Sequence, residues 1–187
     1  MKEKKLYNKN ILMIIASKNF RDEEYFIPFE TFQKAGARIT TASSVKGEII
    51  GIEGGEARST LTLPEVNVRN FDAVVFIGGN GTKEYFDNND AHKIVHETIL
   101  SKKILAAICI APIILARAGI LKGKTATVWS SIVNKSGGKE LKEAGCTISK
   151  KRVVQDGRII TADGPSVAEE FAEVIIKAMT EKIKDEI

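Results

Sequence analysis

With 187 residues, 43% of them hydrophobic, the chain can bury a substantial core as one domain, expected to span residues 1–187, without disulfides or a structural metal. Its 28 Lys+Arg against 24 Asp+Glu leave a mild net charge of +4. That balance excludes the broad basic face a nucleic-acid binder needs, and Lys150-Lys151-Arg152 reads as a solvated edge or loop.

The N-terminus is basic, but the apolar stretch that follows, Ile11–Ala16, is too short for a membrane span or the core of a secretion signal. It predicts a first buried strand instead. Further apolar runs predict strands at Ala37–Ala42, Ala73–Gly78 and Ile104–Ile108. Helices are expected between them, over Glu24–Ala35 (ended by Gly36), Asp90–Ser101 and Ala111–Ala118. Alternating strands and helices predict a parallel sheet covered on both faces. The segment Lys46–Pro64, rich in glycine and short apolar alternations, reads as a small antiparallel excursion or hairpin. Arg152–Thr161 reads as two short strands turned at Asp156-Gly157. Gly164-Pro165 then opens a final helix, Val167–Lys182, with Val167, Phe171, Val174, Ile175 and Ala178 on one face.

Chemistry concentrates where the fourth strand ends, at Cys109. An apolar run stops there, and a helix follows with Pro112 in its first turn, where a missing N–H costs nothing. A thiol on such a strand-to-helix elbow sits beside free backbone N–H groups and the positive helix end, which favour the thiolate. Cys146, following Ala144-Gly145 at the start of a strand, lacks that setting and reads as a small buried hydrophobe. With only two cysteines and no C-x-x-C spacing, the chain carries neither a disulfide framework nor a zinc site. Free thiols of this kind suit the reducing cytoplasm.

Ligands of open α/β sheets sit outside the C-terminal ends of the strands. Two further loops belong there. The first, Phe20-Arg-Asp-Glu-Glu-Tyr-Phe-Ile-Pro28, carries Asp22 and Glu23 as a charged first helical turn. Glu24 shares an inward face with Phe20, Ile27 and Phe32, where a buried carboxyl keeps its proton and can donate a hydrogen bond to a neighbouring thiolate. The second, Ile77-Gly78-Gly79-Asn80-Gly81, lacks the third glycine of a dinucleotide fingerprint and reads as a turn that aims an N–H at a developing oxyanion. His92 and His96 lie four apart on one helix but lack the glutamate of H-E-x-x-H, so surface histidines are expected and no metal.

These features in this order resemble the ThiJ/PfpI superfamily. The landmarks are Phe20-x-Asp-x-Glu24-x-x-x-Pro28, Ala35-Gly36, Phe71-Asp72-Ala-Val-Val-Phe-Ile-Gly-Gly79, Ala106-Ala-Ile-Cys109-x-x-Pro112, Ala118-Gly-Ile-Leu-x-Gly-Lys124, Asp156-Gly-x-x-Ile-Thr161 and Gly164-Pro165-x-x-Ala168-x-x-Phe171-Ala172. The resemblance implies a flavodoxin-like three-layer sandwich with a mostly parallel central sheet, of the class I glutamine amidotransferase-like kind. It also implies Cys109 as nucleophile, Glu24 hydrogen-bonded to its sulfur, and an oxyanion pocket from the N–H groups of Gly79 and Ile110. Gly78 and Trp129 are further pocket candidates. No cofactor is implied, and relatives are commonly homodimers, some assembling into hexamers.

Two departures bear on activity. The protease-like branch has histidine directly after the cysteine, where this chain has Ile110. The deglycase branch has a histidine after Gly123-Lys124, where Thr125–Trp129 has none. The expected function is therefore a cytosolic stress-response protein acting on small reactive carbonyls or damaged proteins (glyoxalase or deglycase type), or a reversible thiol redox site. An intracellular cysteine protease or amidase is the first alternative. A non-catalytic redox sensor or holdase chaperone is the second.

Overall fold

The computed structural model describes residues 5–131 and 133–181. Lys182, the expected end of the last helix, lies outside the described residues.

The chain begins with β1 (Asn10–Ile14), α1 (Asp22–Lys34) and β2 (Arg38–Ser43). A hairpin of β3 (Gly47–Ile50) and β4 (Glu56–Ser59) follows, then β5 (Leu61–Thr62) and β6 (Ala73–Phe76). The next elements are α2 (Asn89–Leu100), β7 (Ile104–Ile108), α3 (Pro112–Arg117) and β8 (Thr125–Ala126). The chain closes with α4 (Ser136–Glu143), β9 (Thr147–Ile148), β10 (Val153–Asp156), β11 (Ile159–Ala162) and α5 (Ala168–Thr180).

Seven strands form the main sheet in the order β10-β11-β7-β6-β1-β2-β5, and every neighbouring pair is parallel except β10 with β11. The period-two side-chain alternation of a strand explains why these runs are apolar throughout. In β1, Leu12 and Ile14 enter one core while Ile11 and Met13 enter the other. In β7, Leu105 and Ala107 face one way and Ile104, Ala106 and Ile108 the other. One core packs beneath α2, α3 and α4, the other beneath α1 and α5. The result is the expected three-layer α/β sandwich.

The glycine-rich excursion is a hairpin, pairing Gly47 with Ser59 through to Ile50 with Glu56. Its continuation departs from the expectation, because β5 returns to the main sheet and pairs with β2. The Asp156-Gly157 turn joins β10 to β11 as expected. Two short elements, α4 and β8, have no counterpart in the sequence reading, while β9 is the strand expected beside Cys146. Strands of two residues carry no readable period, and α4 opens on Ser136-Gly137-Gly138, poor helix formers. Arg152 is a half-exposed edge residue whose guanidinium forks onto Asp163 at 3.0 and 3.0 Å.

Candidate active site

The C-terminal edge of the sheet brings three loops together, those after β1, β6 and β7. Cys109 ends β7 with φ of +65°, a left-handed backbone that a residue with a Cβ adopts only when its surroundings enforce it. Both sides of the elbow are pinned. Its N–H donates to Ala162 O at 2.9 Å, and its carbonyl accepts the Trp129 N–H at 2.8 Å. The turn continues through Ile110 and Ala111 into α3 at Pro112, so the thiol sits short of the helix itself.

Glu24 comes from the first turn of α1 and is fully buried. Its Oε2 accepts the Gly78 N–H at 3.1 Å, Oε1 is buried without a hydrogen-bond partner, and the carboxyl interacts with the Cys109 side chain. Burial raises the Glu24 pKa from 4.5 to about 7, against the opposing pull of Cys109, the Gly78 N–H and the more distant Arg21 guanidinium. Burial thus favours the protonated form of this carboxyl.

The sulfur differs from the expectation of a simply acidified thiol. Burial pushes the Cys109 pKa up, and the negative charge of Glu24 pushes it further, while the Gly79 and Ile110 N–H groups pull it down. Two acids this close titrate as a coupled pair. Thiolate beside a protonated Glu24 and thiol beside a carboxylate are the two arrangements of one pair. Only the first supplies the nucleophile, and both N–H groups assist it.

The glycines of the second loop serve packing as well as the site. A Cβ on Gly78 would fall 2.5 Å from the Cys109 Cβ and into Glu24 Oε2. One on Gly79, whose φ is +106°, would fall 2.5 Å from Arg21 N and 2.6 Å from Asn19 O. Gly81 lies against Lys18 O and Ala16. The loops after β1 and β6 thus close onto each other, filling the crevice where a doubly wound fold would seat a nucleotide phosphate.

Above Cys109 and Glu24 opens a pocket of about 240 Å³ with Gly79 and Ile110 in its floor. Trp129, one of the two tentative pocket residues, is in its wall; the other, Gly78, lies behind the site as the spacer between carboxyl and thiol. Four more lining residues escaped the sequence reading: Arg21, Ile52, Asn80 and Pro165. Arg21, Asn80 and Pro165 stand inside motifs quoted above and could have been flagged from their neighbours. Ile52 could not, because nothing local says where the hairpin tip will dock.

Two residues of α1 lie otherwise than expected. Ile27 is exposed, and the inward face is completed instead by Tyr25 and Pro28. Asp22 is buried rather than a solvated first-turn charge, accepting the Glu53 and Gly55 N–H groups at 2.8 and 2.6 Å. Glu23 keeps its place in the first turn and pairs with Arg21 at 2.8 Å. His92 bonds Phe86 O at 2.8 Å, His96 is exposed, and neither lines the pocket. Among the described residues no cluster of histidine, cysteine and carboxylate could hold a metal ion, and no helix is long and apolar enough to cross a membrane.

Comparison with known proteins agrees with this geometry, for the DJ-1/PfpI family matches residues 9–178. The chain belongs to the DJ-1/PfpI family. An uncharacterized protein of Methanocaldococcus jannaschii is 40% identical, over 95% of this chain and 86% of that one. Deglycase PfpI of Pyrococcus furiosus is 30% identical, over 82% of this chain and 90% of its own. Among solved structures, a ThiJ/PfpI domain protein from Brachyspira murdochii superposes with a TM-score of 0.87 at 30% identity, covering 92% of this chain and 97% of that one. Within this DJ-1/PfpI frame, Ile110 and Trp129 occupy pocket positions of the present chain, and no histidine accompanies the cysteine among the residues lining its pocket.

Proposed function

We propose that the protein is a cysteine-dependent, cofactor-free enzyme of glyoxalase or deglycase type that adds Cys109 to small reactive carbonyls in the cytoplasm. The observation that carries this reading is the buried Glu24 carboxyl against a thiol that also faces the Gly79 and Ile110 N–H groups. The name of the deglycase from Pyrococcus furiosus supports it.

A 2-oxoaldehyde would react as follows. The Cys109 thiolate forms a bond to the aldehyde carbon, and the carbonyl electron pair moves to oxygen beside the Gly79 and Ile110 N–H groups. Glu24 gives its proton to that oxygen, leaving a hemithioacetal and a carboxylate. The carboxylate then takes the hydrogen of the former aldehyde carbon as a proton, forming an enediol with the neighbouring carbonyl. That proton passes to the second oxygen, and the hydroxyl proton of the sulfur-bearing carbon is then relayed through Glu24 to the second carbon, giving the thioester of a 2-hydroxy acid. Water adds to the thioester carbonyl, the C–S bond breaks, and the thiol is restored. One water is consumed, and no external oxidant or reductant takes part.

Amide hydrolysis is less well served, because an amine leaving group must be protonated in a site whose titratable lining is limited to Arg21, Glu24 and Cys109. A homodimer belongs to the same proposal. Phe26, Phe29 and Ile39 are half-buried around an open groove between α1, β2 and the hairpin, an apolar face that a second copy could cover.

The test is consumption of methylglyoxal with formation of lactate. Cys109→Ser should reduce the rate by about a thousandfold or more, as expected for loss of a nucleophile. Equal consumption by the wild type and Cys109→Ser would remove the enzymatic reading. Oxidation of Cys109 by peroxide without any carbonyl turnover would favour the redox site.

A further inference from the structure

Resting on that reading, we propose that the pocket selects 2-oxoaldehydes carrying an apolar, ring-sized body, so that an arylglyoxal is preferred over glyoxal. Two apolar walls are built into fixed relation with Cys109. Trp129 is tied by its own N–H to the Cys109 carbonyl at 2.8 Å, and its ring edge lies 3.5 Å from where a Cβ on Gly164 would sit. Pro165 continues that wall. The second apolar lining element is Ile52 at the hairpin tip, 39% exposed.

Ile52 is no loose flap. Its N–H donates to Phe20 O at 2.9 Å, and its neighbours Glu53 and Gly55 are held by the buried Asp22 carboxylate. Gly51 and Gly55 leave no room for a side chain against Asp22. The tip is therefore fixed to the first turn of α1, the turn that also positions Glu24. An exposed β-branched residue held this firmly at a pocket mouth gains its contacts when an apolar ligand arrives.

The polar side of the pocket does not compete for an anion. Arg21 spends its fork on Glu23, at 2.8 Å from Nε and 3.0 Å from Nη2, with Glu53 3.7 Å from Nη1. Its charge is matched by these two carboxylates. What remains is Asn80, a neutral hydrogen-bonding group suited to a second carbonyl oxygen. Glyoxal has no body to set against Trp129 and Ile52. Contacts to one added apolar group in such a site discriminate by roughly 10- to 200-fold.

The experiment compares kcat/KM for phenylglyoxal and glyoxal, counted above the consumption shown by Cys109→Ser, which still contains the reactive arginines. The ratio should exceed about tenfold in the wild type and fall severalfold in Trp129→Ala and, separately, in Ile52→Ala. A ratio near one, or one that neither substitution changes, overturns the proposal while leaving the carbonyl chemistry standing. Should the protein consume neither glyoxal, the carbonyl reading fails and the pocket is judged by binding alone. Trp129 is the single tryptophan of the chain, so its fluorescence reports occupancy without turnover. Saturable change with benzamide at least tenfold below the concentration needed for acetamide supports an apolar selector. Equal response to both, or none, overturns it.

Discussion

Cys109 and Cys146 are both buried, and burial pushes the pKa of each thiol up. Around Cys146 little else happens. It lies between α4 and β9 beside the satellite pair of β8 and β9, and its thiol makes a long contact to Thr147 O at 3.5 Å and a backbone hydrogen bond with Ala126. Around Cys109 the chain adopts a left-handed elbow, a carboxyl from a distant helix is buried against the sulfur, two N–H groups point at it and a pocket opens above. Burial alone therefore produces an inert thiol. The site arises from groups that respond to charge on sulfur and are fixed in place before the charge appears.

The spacing of that pair is the point at which the comparison breaks most easily. Gly78→Ala would drive a methyl group to 2.5 Å from the Cys109 Cβ and 2.9 Å from Ile108 O, and into the Glu24 carboxylate. Backbone carbonyl and packed elbow cannot give way cheaply, so the carboxyl and thiol must separate. Carbonyl consumption should fall by about a hundredfold, the scale of a misplacement of roughly 1 Å. Overpacking should also cost about 1–3 kcal/mol in urea unfolding. A variant of wild-type rate would show that the close approach of Glu24 and Cys109 is not needed.

Glu24→Gln sharpens the comparison through pH. A carboxyl whose pKa rises from 4.5 in the unfolded chain to about 7 in the folded one binds its proton more tightly when folded. Its stabilising contribution is complete below about pH 4.5 and is lost as pH rises through 7. Across that interval the wild type should lose on the order of 3 kcal/mol of unfolding free energy, at about 1.4 kcal/mol per unit. Glutamine can still accept the Gly78 N–H and carries no charge, so the variant should be flat over the same range and more stable than the wild type at pH 8. Parallel curves for the two proteins would mean that Glu24 titrates as an ordinary carboxyl. The same variant should lose carbonyl turnover, because an amide cannot relay a proton.

Much of this was legible from local pattern. Uniformly apolar strands announced a sheet covered on both faces, and Cys109 and Glu24 were visible because an elbow and an inward helix face are local properties. Asp22 was misjudged because its partners, the N–H groups of Glu53 and Gly55, lie across a hairpin whose docking no local signal reveals. Ile52 escaped for the same reason. The pKa of Cys109 was misjudged differently. A helix end near sulfur is readable, but the opposing charge of Glu24 depends on how closely the two groups approach.

The smallest expected effect belongs to Cys146. Replacing it by alanine removes one sulfur from a buried site where its polar contacts are weak, so stability should drop by about 1 kcal/mol, near the value of one buried methylene. Carbonyl turnover should be unchanged within twofold, since Cys146 does not line the pocket. The variant also leaves Cys109 as the only thiol, so its alkylation rate can be followed against pH without interference. If Cys109 and Glu24 share a proton, that rate should show a thiolate population at a lower pH than a plain buried thiol would give, and the profile should bend where Glu24 titrates. A rate that climbs only above pH 9 would make Cys109 the chemical equal of Cys146, and the difference in surroundings would then have no consequence for the sulfur.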